Sequence, residues 1–150
     1  MTGSWDPQEF PNLIPNVYTQ TSPATRKYNC IAWAAGDTSK KWWPDPFGIG
    51  KWPPNVPRQA TLDAFILAFG TLGYVQCVDG SPEAGFEKIA LYATRELDGN
   101  LSPTHAAIQL PNGNWSSKLG DCEDIEHLTL EALNGNSYGR TACYLKRPRR

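Results

Sequence analysis

The four cysteines of this 150-residue chain (Cys30, Cys77, Cys122 and Cys143) form no CxxC pair, so the ligand spacing of a zinc site is missing. No stretch approaches the ~18 consecutive apolar residues of a helical membrane span. Excess charge is also missing: the formal net charge of −1 argues against non-specific nucleic-acid binding. The opening residues, Met1 to Pro7, hold neither a basic n-region nor an apolar h-region, so no secretory signal peptide is expected. There are no internal repeats and no low-complexity tract. These absences lead to an expectation of no cofactor, no metal, no nucleic-acid partner and no membrane. They place the chain in the cytoplasm with reduced thiols, or export it by a route that needs no signal peptide.

What is present suits one domain spanning residues 1–150, with 40% hydrophobic residues. A domain of this length buries roughly 68–70% of its unfolded surface and needs no disulfide to hold together. Residues 1–27 are rich in Pro, Asn, Ser and Thr, and read as an irregular N-terminal arm. At the other end, Lys146-Arg147-Pro148-Arg149-Arg150 reads as a solvated basic tail.

Between them, a first helix is expected over Asn29–Ala35, with Asn29 as N-cap and Gly36 as a left-handed stop. Residues 37–57 hold Trp42, Trp43, Phe47 and Trp52 among Pro44, Pro46, Pro53, Pro54 and Pro57, which forbid a regular helix or central strand. A second helix is expected over Arg58–Phe69, with Leu62, Phe65, Ile66 and Phe69 on one face. Strands follow at Tyr74–Val78, Lys88–Ala93, His105–Leu110, Trp115–Leu119 and Thr141–Lys146, with a helical turn near Thr129–Leu133. Helices first and mostly antiparallel strands afterwards make the class α+β.

Chemistry enters through two residues. Cys30 stands at the first position of the first helix, where partial positive charge and free N–H groups favour a thiolate and can hold an oxyanion. His105 stands at the head of the apolar run Ala106-Ala107-Ile108. A thiol on a helix's first turn, matched with an imidazole at the start of a strand, is the arrangement of a cysteine hydrolase.

The stretch His105-Ala-Ala-Ile-Gln-Leu-Pro-Asn-Gly-Asn-Trp-Ser-Ser117, with Lys88-Ile-Ala-Leu-Tyr92 before it, resembles the NlpC-type and CHAP-type peptidases of the papain-like superfamily. The resemblance covers about Tyr28–Gly36 and Glu87–Gly120. It implies a papain-like α+β fold, with N-terminal helices packed on an antiparallel sheet. It also implies a Cys30–His105 pair acting on amide bonds of a peptide, protein or peptidoglycan substrate, with Tyr28 as a second oxyanion donor. In place of the family's Asp-Cys-Ser-Gly, this chain has Asn29-Cys30-Ile31-Ala32. The signatures Tyr-Asn-Cys-Ile-Ala-Trp-Ala and Trp-x-Ser-Lys-Leu-Gly also resemble a set of uncharacterised bacterial proteins, which carries no function with it.

The residue that orients His105 depends on hairpin register. A two-residue Asn112-Gly113 loop pairs Gln109 with Ser116 and puts Ser116 and Lys118 on the face of His105. A three-residue loop with a bulge opposes Gln109 to Ser117 and His105 to Asp121. Alignment to the family favours Ser117, with Asp121 and Lys118 as alternatives. His127 is a second possible base but reads as a partly exposed residue of a polar strand. Cys77 and Cys143 read as core residues. Cys122, among acidic neighbours, makes a poor nucleophile.

The aromatic loop gives a second class of function. Trp43 and its neighbours on a stiff Pro-rich segment suit a groove for a peptide or glycan, while core cover is the competing role for the same rings. The alternative to the hydrolase is therefore a catalytically inactive papain-like binding module. The sequence leaves the oligomeric state open.

Overall fold

The chain folds around Phe86–Arg95, whose centre from Lys88 to Ala93 is buried and needs cover on both faces. In the computed structural model, which describes residues 8–150, this segment lies near the middle of one seven-stranded antiparallel sheet. The strands are β1 Tyr18–Ser22, β2 Val75–Cys77, β3 Phe86–Arg95, β4 Leu101–Gln109, β5 Trp115–Lys118, β6 Asp124–His127 and β7 Arg140–Pro148. Their spatial order is β1-β6-β5-β4-β3-β7-β2. Two helices, α1 Cys30–Ala35 and α2 Leu62–Gly70, complete the α+β architecture.

One face of the sheet packs on the helices. Ile89, Leu91, Ala106 and Leu145 meet Ile31, Ala34, Phe65 and Phe69, with Trp42 and Trp52 of the aromatic loop in the same cluster. The other face presents Ala90, Tyr92, Ala107, Trp115 and Ile125 to Phe10, Leu13, Leu130 and Leu133. Both faces are thus covered, which is why β3 reads as a continuous apolar run rather than an alternating one.

α1 matches its sequence signals closely. Asn29 Oδ1 accepts from the Ala32 N–H at 3.0 Å, and Gly36 closes the helix at φ 84°. α2 starts four residues later than expected. Thr61 caps it, while Arg58 reaches back to the Asp45 and Gly50 carbonyls and keeps the preceding segment in the loop.

Both chain ends differ from expectation. The N-terminal arm contains β1, an edge strand paired with β6, and residues 1–7 of that arm lie outside the described residues. The basic segment is not a solvated tail. Lys146, Arg147 and Pro148 continue β7 against β3, where Lys146 pairs with Glu83 and Arg147 with Glu87, each at 2.8 Å.

The β4–β5 hairpin takes neither expected register. Ile108 pairs with Ser116 and Gln109 with Trp115, and the Leu110 N–H bonds the Asn114 carbonyl at 2.7 Å. The turn is Pro111-Asn112-Gly113, with Gly113 at φ 90°, a conformation that glycine adopts without strain. β5 pairs with β4 only at those two positions. Towards residue 104 the edge of β4 is therefore free, and Pro103 is tolerated there because no ladder bond is asked of its nitrogen.

Candidate active site

At that free edge of β4, Cys30 reaches the backbone on either side of His105. From Ala106 to Leu110 the even-numbered residues point their peptide groups toward β5, and where β5 has diverged the Cys30 sulfur takes the Ala106 N–H and the Thr104 carbonyl. The thiol donates to the Thr104 carbonyl at 3.9 Å, and the Ala106 N–H faces the sulfur. The sulfur thus contacts the peptide groups on both sides of His105. The N–H groups of Cys30 and Ile31, at the start of α1, also favour its anionic form. Burial outweighs them and pushes the thiol up to about 11, so the resting sulfur is protonated at neutral pH.

The His105 ring lies on the face of the sheet remote from α1. It stacks on Tyr138 with centroids 4.1 Å apart and meets Tyr92 edge-on at 5.3 Å. Tyr138 is held there by a turn in which Gly139 lies so close to the Ala93 carbonyl that any Cβ would collide with it. The Thr104 hydroxyl bonds the Tyr138 carbonyl at 2.6 Å and ties the same turn to β4.

Ser117 is the group that meets His105. Its Oγ lies 2.9 Å from His105 Nε2 and 2.8 Å from His127 Nε2, and His127 Nδ1 lies 2.8 Å from the Thr129 carbonyl. All three side chains have no exposed surface. Burial lowers the basicity of both imidazoles: His127 falls to about 4, and His105, which also faces His127, falls well below its usual value. Both are neutral at pH 7. His105 Nδ1 is buried and has no hydrogen-bond partner.

The other candidates lie elsewhere. Asp121 is on the surface in a 2.9 Å pair with Lys41. Lys118 is fully buried on the helix-facing side, its ammonium bonded to the carbonyls of Thr25, Gly120 and Cys122. Tyr28 is not a free oxyanion donor, because its hydroxyl donates to Asp124 at 2.7 Å and its ring stacks on Trp33.

Trp43 is half-buried and lines a groove of about 560 Å³ beside Asn29, with Lys27, Lys40, Lys41 and Ile49. Trp42 and Trp52 instead belong to the core, so the two roles weighed for these rings fall to different members of the loop. Cys143 packs against the core, Cys77 is half-buried, and Cys122 is an exposed thiol.

His127 is the residue that sequence reasoning misplaced. It is fully buried, because β6 alternates and puts Ile125 and His127 on the same covered face. The apolar Ile125 two residues before it was the available signal. The stacking of Tyr138 on His105 left no trace in the sequence. Among the described residues no cluster of His, Cys, Asp and Glu is arranged to hold a metal ion. No helix of the described residues is long and apolar enough to cross a membrane.

The fold and site together define an α+β domain with a cysteine at the first position of a helix, against the backbone of a strand-borne, buried histidine. A family model described as a domain of unknown function, DUF7689, matches residues 19–146, and the chain belongs to that family. No curated protein and no solved structure matches this chain.

Proposed function

We propose that this domain is a papain-like cysteine hydrolase acting on amide bonds, with Cys30 as nucleophile, His105 as base and Ser117 as its orienting partner. One observation carries the reading. His105 has one ring nitrogen engaged by Ser117 and the other buried without a partner, while the Cys30 sulfur sits on the peptide groups on either side of that histidine. A buried acceptor left open is costly in a purely structural site and useful in a catalytic one.

In the proposed reaction Cys30 Sγ attacks the carbonyl carbon of a peptide or protein amide as its proton passes to His105 Nδ1. The N–H groups at the start of α1 face the oxyanion that forms. His105 then returns the proton to the leaving amine, and water, deprotonated by the same nitrogen, hydrolyses the thioester. Because thiol and imidazole both rest neutral, proton transfer accompanies attack rather than preceding it. A peptidoglycan stem peptide, a protein backbone and a protein glutamine side chain all present the required amide.

The enclosure of the pair favours a second reading. Cys30 is 7% exposed and His105 not at all, whereas the Trp43 groove is open to solvent. An inactive binding module using that groove would have the same closed centre. A peptidyl electrophile, with its sites of attachment mapped by mass spectrometry, separates the two. The hydrolase labels at Cys30, and His105→Ala abolishes that labelling while the exposed Cys122 reacts unchanged. Labelling confined to Cys122, or labelling of Cys30 indifferent to His105→Ala, rejects the enzyme.

A further inference from the structure

The direction of every proton in the buried chain is fixed from its far end. The Thr129 carbonyl can only accept, so His127 Nδ1 carries the hydrogen at that 2.8 Å contact. His127 is neutral, which leaves its Nε2 as a lone pair, and the only hydrogen that can point at it belongs to the Ser117 hydroxyl. With its one hydrogen given away, Ser117 Oγ must accept from His105 Nε2–H. A neutral His105 protonated on Nε2 has its lone pair on Nδ1, the atom without a partner.

We infer that His127 is a positioning residue which, acting through Ser117, holds His105 in the tautomer whose Nδ1 lone pair is free to take the Cys30 proton. The functional part of this inference rests on the hydrolase reading above, whereas the proton order does not. A serine alone cannot set a tautomer, since its hydroxyl donates and accepts equally well. His127 removes that freedom by claiming the hydroxyl hydrogen. The pair Ser117–His127 thereby does what a side chain with a fixed acceptor would do alone. Thr129 anchors the arrangement, and the cover of Trp115, Ile125 and Leu130 keeps out water that would let the hydroxyl turn.

The test begins with the unaltered protein, using nitrogen-15 NMR of the imidazoles at neutral pH. His105 is expected to carry its proton on Nε2 and His127 on Nδ1. A proton on His105 Nδ1 overturns the inference without any variant, whatever happens to the variants' folding. In His127→Phe the Ser117 hydroxyl loses its acceptor and is free to donate to or accept from His105 Nε2, so the His105 proton is expected to redistribute between Nε2 and Nδ1. His127→Gln offers an amide oxygen to Ser117 and an N–H to Thr129, and is expected to restore the original tautomer. Labelling of Cys30 by the peptidyl electrophile should fall in His127→Phe in step with the loss of the Nε2–H tautomer and recover in His127→Gln.

A His105 proton that stays on Nε2 in a folded His127→Phe overturns the inference. A proton that moves while Cys30 labelling does not upholds the tautomer control and rejects the hydrolase instead.

Discussion

β5 and β6 carry two buried polar clusters, one on each face of the same two strands, and the clusters differ in kind. Ser117 and His127 face one way with Trp115 and Ile125, while Lys118 and Asp124 face the helices. Lys118 gives all three of its N–H bonds to carbonyls of Thr25, Gly120 and Cys122, and Asp124 takes the Tyr28 hydroxyl. That cluster ties the segment before α1 to the β5–β6 turn. The histidine cluster is neutral and linear, and it ends on a base with nothing to hold. Burial is complete in both, so burial does not distinguish a tie from a proton path. Direction does, since each cluster also keeps one buried atom without a partner, Asp124 Oδ1 in the first and His105 Nδ1 in the second.

The largest expected effect breaks the tie. Lys118→Met leaves three buried carbonyls without their charged donor, and should cost about 3–5 kcal/mol in urea unfolding. Ser117→Ala should cost less, about 1–3 kcal/mol, yet remove Cys30 labelling. If Ser117→Ala proves the more destabilising and leaves labelling intact, the two clusters are alike and the distinction fails.

Acid should sharpen the contrast. Both histidines have folded-state affinities for protons below the unfolded value of 6.5, so the unfolded chain binds protons that the native one refuses. Their stabilising contribution is complete above pH 6.5 and declines as pH falls toward about 4, at up to about 1.4 kcal/mol per pH unit for each histidine. Unfolding free energies measured between pH 7 and pH 4 should show this slope, with His127→Gln removing roughly half of it. A flat profile above pH 4.5 would mean that the histidines charge without resistance and are not sealed from water.

The smallest effect concerns the junction of helix and aromatic loop. Asn29 caps α1 and also bonds both backbone groups of Trp42. Asn29→Ala should lower stability by about 1–2 kcal/mol and shift tryptophan fluorescence as the loop loosens, without altering the His105 tautomer. A changed tautomer would show that the loop and the relay are coupled.

Local signals explain which parts of this molecule could be read beforehand. α1 was legible because Asn29 and Gly36 act on their immediate neighbours, and β3 because an apolar run from Ile89 to Ala93 has few other uses. The hairpin's position was legible from Asn112-Gly113. Its register was not, since that depends on where the turn's hydrogen bonds close, at Leu110 and Asn114. Ser117 was the favoured orienting residue and is the one that meets His105. It does so although the register expected for it is absent, because the strands splay and the contact is made diagonally across the gap.

β1 was unreadable as a strand, and β6 as a buried one. Tyr18–Ser22 is short and mixed, and the polar sequence Asp124–His127 is covered only because Tyr28 and Ser117 satisfy it from elsewhere in the chain. The extension of β7 into a basic sequence likewise depended on Glu83 and Glu87, whose positions no local pattern announces.

The insertion of β7 between β3 and β2 sets an order of events during synthesis. Until residues 140–148 have been made, β3 keeps one flank bare and β2 has no neighbour in the sheet. The turn that lays Tyr138 over His105 immediately precedes that strand, so the imidazole acquires its cover in the same late step. A nascent chain therefore carries its thiol and imidazole unsealed until its last strand docks, and such late closure of distant pairings is slow. Sealing of the His105 ring and completion of the sheet are one event.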